Sequence, residues 1–326
     1  MPNIFAKLAA YRQRKEETSS PPNTDENIAP KIKKSRRWQV MDRTFEWKMA
    51  WALLVFMASM LLAPETVGGQ EQKENEVRVP VIMYHLVTEN SRYVGKYGIR
   101  PSELKSDLEY LRDNGYNTIV IQDLINFVEE GKPLPNKPIV LTFDDGNSSD
   151  HQYLLPLLKE FDMKAVSSII GVTTDKITRQ HAENPDGRYP NMTWGQVVEL
   201  HESGAIEIQS HGFDLHGKAG AGKRRGESVD AYHQRLMTDL RKLDDRCNEH
   251  LGYRPNTFCY PYGIISKDSQ AVLEELGYKA SLSCEERINI IRQGEKGDLF
   301  KLNRVNRASG RSVENILNML QKKEKS

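Results

Sequence analysis

Hydrophobic and polar positions along residues 79–283 predict strands that alternate with helices. Runs of β-branched and aromatic residues, bounded by glycine or proline, have the length and composition of buried strands. Between them, apolar residues recur every three or four positions, as in amphipathic helices. The predicted strands are 79–84, 117–121, 139–143, 165–170, 205–210, 257–260 and 278–283, and the predicted helices are 102–114, 154–161, 193–203, 228–250 and the stretch before Gly277. Repeated βα units imply an α/β fold with a parallel sheet, closed or open.

The amino-terminal part of the chain has a different pattern. Residues 1–48 are polar and basic, which predicts a disordered tail. Residues 49–63 are an uncharged, mostly apolar run of 15 residues, between the roughly 10–14 of a signal-peptide core and the roughly 20 of a membrane span. We favour a signal anchor over a cleaved signal peptide, because the preceding region is long for a signal peptide. A buried core helix is a further alternative.

Either form of this segment places the rest of the chain outside the cytoplasm. Basic residues before the apolar run predict a cytoplasmic amino terminus. We therefore expect a single-pass membrane protein, or a secreted protein if the signal is cleaved. Residues 64–78 are predicted to be a linker, 79–320 the folded domain and 321–326 a short tail.

Charge and cysteine content exclude one class of partner and leave others open. Residues 1–48 contain 11 Lys and Arg against 6 Asp and Glu, and the remainder contains 35 against 39. A near-neutral remainder offers no electrostatic footprint for nucleic acid. The three cysteines lack metal-ligand spacing, and Cys259 lies in an apolar run that predicts a core position.

Polar side chains follow several predicted strands at the point where each strand ends. Asp144 and Asp145 follow one strand, His85 a second, and His211 a third, with His216 five residues later. The carboxyl ends of parallel strands share one rim, where active sites of barrel enzymes lie. Adjacent carboxylates are costly unless a cation or a shared proton relieves them. One carboxylate and two histidines would hold a catalytic metal with positions open for water. The alternatives are an acidic turn and two loop histidines with unrelated contacts.

These motifs resemble those of the polysaccharide deacetylase family, the NodB-homology carbohydrate esterases. Thr142–Gly146 (TFDDG) resembles the first motif, and residues 210–216 (SHGFDLH) resemble the second. The resemblance implies that Asp144 is the catalytic base and that Asp145, His211 and His216 bind the metal. The five-residue step between the histidines is similar to that of exported poly-N-acetylglucosamine deacetylases. The implied fold is a deformed parallel (β/α) barrel of about seven strands.

A third motif of this chain also resembles that of the family, whereas two later family motifs are not found. Residues 254–263 (RPNTFCYPYG) resemble the third motif. The resemblance implies that Arg254 orients and holds the charge of the base, and that the Tyr260 backbone N–H faces the oxyanion. The late Leu-x-His motif is missing, since this chain has Leu302-Asn303-Arg304 there, and the fourth motif is not visible. In the biofilm-type subgroup a Met-Tyr-His histidine takes the acid role, which implies His85, with a structural histidine as the alternative.

The function expected from this resemblance is metal-dependent removal of N-acetyl groups from N-acetylglucosamine units. The implied metal is divalent, with zinc favoured and cobalt, nickel or iron as alternatives. The implied substrate is an acetylated glycan such as peptidoglycan, poly-N-acetylglucosamine or a chitin-like chain. The open alternatives are an O-acetyl esterase acting on xylan-type chains, a glycan-binding domain without activity, and a membrane-tethered assembly component.

Overall fold

The computed structural model describes residues 75–324, so the predicted tail, the apolar segment 49–63 and most of the predicted linker lie outside the described residues. Within 75–324, no helix combines the length and the apolar character needed to cross a membrane.

Strands and helices alternate along residues 117–282, as the sequence pattern predicts, although the helices Ile121–Glu130 and Gly171–Glu183 were not predicted. The strands are β1 (Glu76–Val79), β2 (Val81–Tyr84), β3 (Leu86–Val87), β4 (Gly98–Ile99), β5 (Asn117–Ile119), β6 (Pro138–Asp145), β7 (Ala165–Ile169), β8 (Ile206–Ser210), β9 (Thr257–Cys259), β10 (Ala280–Leu282), β11 (Asn289–Arg292) and β12 (Val305–Asn306). The helices are α1 (Pro101–Asp113), α2 (Ile121–Glu130), α3 (Leu155–Phe161), α4 (Gly171–Glu183), α5 (Trp194–Glu202), α6 (Val229–Leu251), α7 (Ser269–Glu275) and α8 (Val313–Glu324). One π-helical turn, Asp150–Leu154, precedes α3.

The centre of the fold is a curled parallel sheet, which confirms the predicted fold class. Its eight strands run in the order β10-β9-β8-β7-β6-β2-β12, with β5 also paired to β6. Segment 302–306 nearly closes the curl, because Leu302 bridges Leu282 of β10 while Val305 pairs with Ile82 of β2. All carboxyl ends of these strands therefore face one rim.

Both faces of the sheet are buried, as expected for parallel strands. Alternate residues of β6 enter different cores: Leu141 and Phe143 pack with helices α1, α3, α5, α6 and α8. Val140 packs on the opposite face with Cys259, α2 and β11. Cys259 is fully buried, which confirms its predicted core position.

Boundaries differ from the prediction at both ends of the domain. β1 begins at Glu76, inside the predicted linker, and pairs antiparallel with β11. α8 continues to Glu324, beyond the predicted end at residue 320. Both elements are held by long-range contacts, since β11 lies more than 200 residues after β1 in the chain. Local pattern alone does not report such partners.

Candidate metal centre and active site

The two adjacent carboxylates lie at the end of β6 and reach the same rim through an unusual backbone conformation. Asp144 continues the strand and points to the face that carries Cys259. Asp145 has a positive φ of 76°, which is uncommon for a residue with a side chain. The alternation of the strand breaks at this residue, so Asp145 can also face the site. Such strained positions cluster at functional sites.

Asp145, His211 and His216 form a group whose ligand atoms all lie within 4.8 Å of one another. Asp145 Oδ1 is 3.5 Å from His211 Nε2 and 3.1 Å from His216 Nε2. Two ligands of one tetrahedral zinc ion, each at 2.0–2.2 Å, lie about 3.3–3.6 Å apart. Asp145 Oδ1 is also buried without a hydrogen-bond partner. A divalent cation would therefore fit this donor set.

The Nδ1 atoms of both histidines have hydrogen-bond partners, which leaves each Nε2 available for a metal. His211 Nδ1 lies 2.8 Å from the Cys259 carbonyl oxygen, to which a protonated Nδ1 donates. His216 Nδ1 lies 2.9 Å from the Tyr262 hydroxyl, which in turn donates to the His216 carbonyl oxygen. Metal-binding histidines are commonly oriented in this way.

A second group with metal-ligand geometry, Asp144, His211 and Cys259, is less suited to a cation. Both oxygens of Asp144 accept hydrogen bonds from Arg304, whose positive charge would repel a metal. Burial raises the pKa of the Cys259 thiol well above its usual value, and only the thiolate is a good ligand. Asp145, His211 and His216 are therefore the better-suited group of candidate metal ligands.

Asp144 forms a buried, two-point ion pair with Arg304. The guanidinium Nη1 and Nη2 donate to the two carboxylate oxygens at 2.8 and 2.9 Å. Burial by itself raises the pKa of Asp144, but the charge of Arg304, helped by His211 and His85, outweighs it and holds the pKa well below its usual value. Asp144 is therefore ionised at neutral pH and able to accept a proton.

The expectation that Arg254 holds the charge of the base is not met. Arg254 lies at the surface and its Nη2 donates to Asp245, with both side chains more than half exposed. The guanidinium at Asp144 belongs to Arg304, which is fully buried and also donates to the Ser283 carbonyl oxygen. Arg304 occupies the segment that closes the curl, where its side chain enters the site.

The expectation for the Tyr260 backbone is corrected as well. Its N–H donates to the Leu282 carbonyl oxygen at 3.1 Å, so β-sheet pairing occupies the group that was expected to face the oxyanion. The Tyr260 side chain is buried, and its hydroxyl is hydrogen-bonded to Ser269 Oγ at 2.7 Å. Tyr260 supports the core beside the site and offers no free donor in this structure.

His85 lies at the same rim, as predicted from its position after β2. Its Nε2 is 4.0 Å from Asp144 Oδ2, and its side chain is 16% exposed. Burial lowers the pKa of His85, although Asp144 and Asp145 partly oppose that effect. Its Nδ1 is buried without a hydrogen-bond partner, and its ring lies 4.8 Å from the ring of Tyr97. His85 can thus meet a group that approaches Asp144 from the solvent side.

We expect the affinity for zinc to fall as the pH drops below neutral. The close contact with the Asp145 carboxylate raises the pKa of His216 above its ordinary value, although burial opposes this. The ordinary value is about 6.5, and protonated imidazole cannot bind metal. Proton competition therefore begins above that pH. Calorimetric zinc titrations between pH 5.5 and 8 would measure it.

The same titration separates ligands from other histidines. His216→Ala should weaken zinc binding by at least about 100-fold, whereas His181→Ala, at an exposed position in α4, should leave it unchanged. Equal affinity of the His216→Ala and parent proteins would contradict the assignment of this ligand.

One family model and several known proteins are similar in sequence to this chain. Residues 131–281 match the family model described as polysaccharide deacetylase. An Escherichia coli K12 protein, poly-beta-1,6-N-acetyl-D-glucosamine N-deacetylase, is 28% identical over 225 residues, which cover 63% of this chain and 33% of the relative. The chain thus spans about a third of that relative's length.

Two solved structures have a similar fold. A de-N-acetylase from Aggregatibacter actinomycetemcomitans aligns with a TM-score of 0.63 and 26% identity, covering 75% of this chain and all of that one. A Streptococcus pyogenes deacetylase in complex with acetate aligns with a TM-score of 0.60 and 21% identity, covering 75% and 98%. The family match includes Asp144, Asp145, His211 and His216. Residues 131–281, which contain these four side chains, are therefore similar to the polysaccharide deacetylase family.

Proposed function

We propose that this protein is a metal-dependent hydrolase that removes N-acetyl groups from N-acetylglucosamine units of a polysaccharide. The proposal depends on one observation: the two adjacent carboxylates, Asp144 and Asp145, lie at one rim but have different surroundings. Asp145 lies with two histidines in a donor set for a cation, while Asp144 is paired with Arg304 and stays ionised. The names of similar proteins support N-deacetylation of such glycans.

The residues of the rim divide the chemistry among themselves. A divalent cation held by Asp145, His211 and His216 would supply a Lewis acid that polarises a carbonyl and acidifies a water. Asp144 accepts the proton of the attacking water, because it is ionised and buried beside that site. His85, within 4.0 Å of Asp144, is positioned to pass that proton on to the leaving amine. The products are acetate and a glucosamine unit.

Acetate release tests this function directly. Purified full-length protein, stripped of metal and then supplied with zinc, should release acetate from chitin-type and β-1,6-linked N-acetylglucosamine oligomers. A chelator should abolish the release. No acetate from any N-acetylated glycan would refute the proposal, and release from acetylated xylan alone would indicate an O-acetyl esterase instead.

We further propose that the domain works outside the cytoplasm. The support is the uncharged run 49–63 after a basic stretch, together with a glycan as the substrate in the relative's name. Protease added to intact cells should cleave the domain, and detergent should be needed to extract it if the apolar run is retained as an anchor. A protease-protected domain would contradict this location.

A further inference from the structure

A basic loop, residues 217–226, leads directly away from the candidate metal centre. It begins one residue after His216 and contains Lys218, Lys223, Arg224 and Arg225 but no acidic residue. All four side chains are exposed. Within residues 75–324, no carboxylate forms an ion pair with any of them. Four unpaired cations beside a reaction site are an unusual concentration of charge.

The acidic residue that follows the loop is already neutralised. Glu227 accepts hydrogen bonds from Arg235 at 2.7 and 3.0 Å and from the Arg224 backbone N–H at 2.8 Å. This arrangement fastens the end of the loop to α6. Hydrogen bonds from the Arg235 side chain lower the pKa of Glu227, and so do the charges of Arg235 and, to a smaller extent, Arg224.

The middle of the loop is held in place by its backbone. Ala221 is fully buried, and its carbonyl oxygen accepts a hydrogen bond from the Tyr232 hydroxyl at 2.9 Å. The Gly222 carbonyl oxygen accepts one from Arg235 Nη2, also at 2.9 Å. A Cβ at Gly220 would lie 2.9 Å from the Pro261 carbonyl oxygen, so only glycine allows this approach. The cations therefore project from an anchored backbone.

The anchored loop packs on the segment that also contacts the metal ligand. Gly220 and Gly222 lie against Ile264, two residues after Tyr262, whose hydroxyl reaches His216. Tyr262 is 57% exposed and Ile264 36%. An exposed aromatic ring provides an apolar surface on which a sugar can stack. The backbone of the basic loop thus packs on Ile264, and Tyr262, two residues earlier, contacts His216.

We propose that the basic loop selects an acetylated glycan that carries carboxylate or phosphate groups. This inference rests on the proposed deacetylase function and names the substrate class for that site. Lys and Arg bind such groups by charge-assisted hydrogen bonds, and Arg does so at two points. A sugar unit at the metal centre would place neighbouring units of the chain beside the loop. A glycan is favoured over a lipid surface because the loop adjoins Tyr262 and the metal centre.

Binding measurements test the inference without requiring turnover. Fluorescence anisotropy would compare labelled hyaluronan oligosaccharides, an N-acetylglucosamine 1-phosphate polymer and neutral chito-oligosaccharides on the full-length protein. We expect tighter binding of the anionic probes, weakened by salt. K223Q/R224Q/R225Q should weaken anionic binding by about tenfold, since each exposed charge pair is modest, and should leave neutral binding unchanged. The carboxylate and phosphate arms identify which group is recognised.

A matched control removes the same charge elsewhere. K159Q/K164Q/K279Q changes three exposed lysines: Lys164 and Lys279 precede β7 and β10 at the opposite edge of the sheet, and Lys159 lies in the last turn of α3. This variant should bind all glycan probes like the parent. The inference is overturned if the loop variant keeps its anionic binding, loses neutral binding equally, or loses only binding to phosphatidylglycerol vesicles. If no glycan releases acetate yet the loop still governs anionic binding, the proposed function fails while the loop assignment stands.

Discussion

Replacing Asp144 with asparagine is expected to lower acetate release by about 10²–10⁴-fold while zinc stays bound. The amide has nearly the shape of the carboxylate but cannot accept a proton from water. Asp145, His211 and His216, which form the proposed metal site, are unchanged. Acetate release and zinc content would be measured on the same preparation. Zinc at parent level with activity lost is the expected outcome.

Asp150 provides a matched control for this substitution. It is also fully buried near the rim, where its Oδ2 accepts a hydrogen bond from Ser167 at 2.8 Å. Burial raises its pKa well above the usual value, opposed by the Ser167 hydrogen bond and reinforced by the charges of Asp145 and Asp144. A raised pKa means that the surroundings of Asp150 disfavour its charged form, and Asp150→Asn removes the charge while keeping the shape of the side chain. Activity should remain within a few-fold of the parent; comparable losses in both variants would argue against a specific role for Asp144.

The fold and the rim were predictable because their signals are local. The helix predicted at 193–203 is present and begins with a capping box, in which Thr193 Oγ1 accepts a hydrogen bond from the Gln196 backbone N–H. Parallel strands share one carboxyl edge, and this rule predicts from the sequence alone that His85, Asp144 and His211 lie together. Each of these residues directly follows or ends a strand of recognisable composition. Local pattern was sufficient for them.

Arg304 was not predictable for the opposite reason. Arg304 lies 160 residues from Asp144 in the sequence. Its neighbours Leu302 and Val305 pair with β10 and β2, and this pairing brings Arg304 to the site. Arg254 had the expected motif position but no structural means of reaching the site. The N–H of Tyr260 was likewise assigned from a motif, although its partner Leu282 belongs to a separate strand. Pairing with a separate strand or segment decides both cases: closure of the sheet by segment 302–306 for Arg304, and the pairing of β9 with β10 for Tyr260.

Replacing Arg304 with glutamine is expected to lower the free energy of unfolding by about 3–5 kcal/mol, because it leaves Asp144 buried without its counter-charge. In the parent protein the folded-state pKa of Asp144 is depressed. Its contribution is present above the unfolded pKa of about 3.9 and is lost only as the pH falls through the lower folded value. In the variant, burial dominates and raises the folded pKa. The destabilisation should therefore grow as the pH rises above about 4.

Urea unfolding of the full-length protein at several pH values between 3 and 8 would measure this dependence, and Arg254→Gln is its control. Arg254 and Asp245 are 59% and 65% exposed, so their loss should change stability by less than about 0.5 kcal/mol at any pH. Deacetylation by the Arg304→Gln protein should also lose activity on the acid side of its pH profile, since Asp144 becomes protonated there. If Arg304→Gln is as silent as Arg254→Gln, the buried pair does not hold the base. If Arg254→Gln alone moves the acid limb, the motif-based assignment is correct after all.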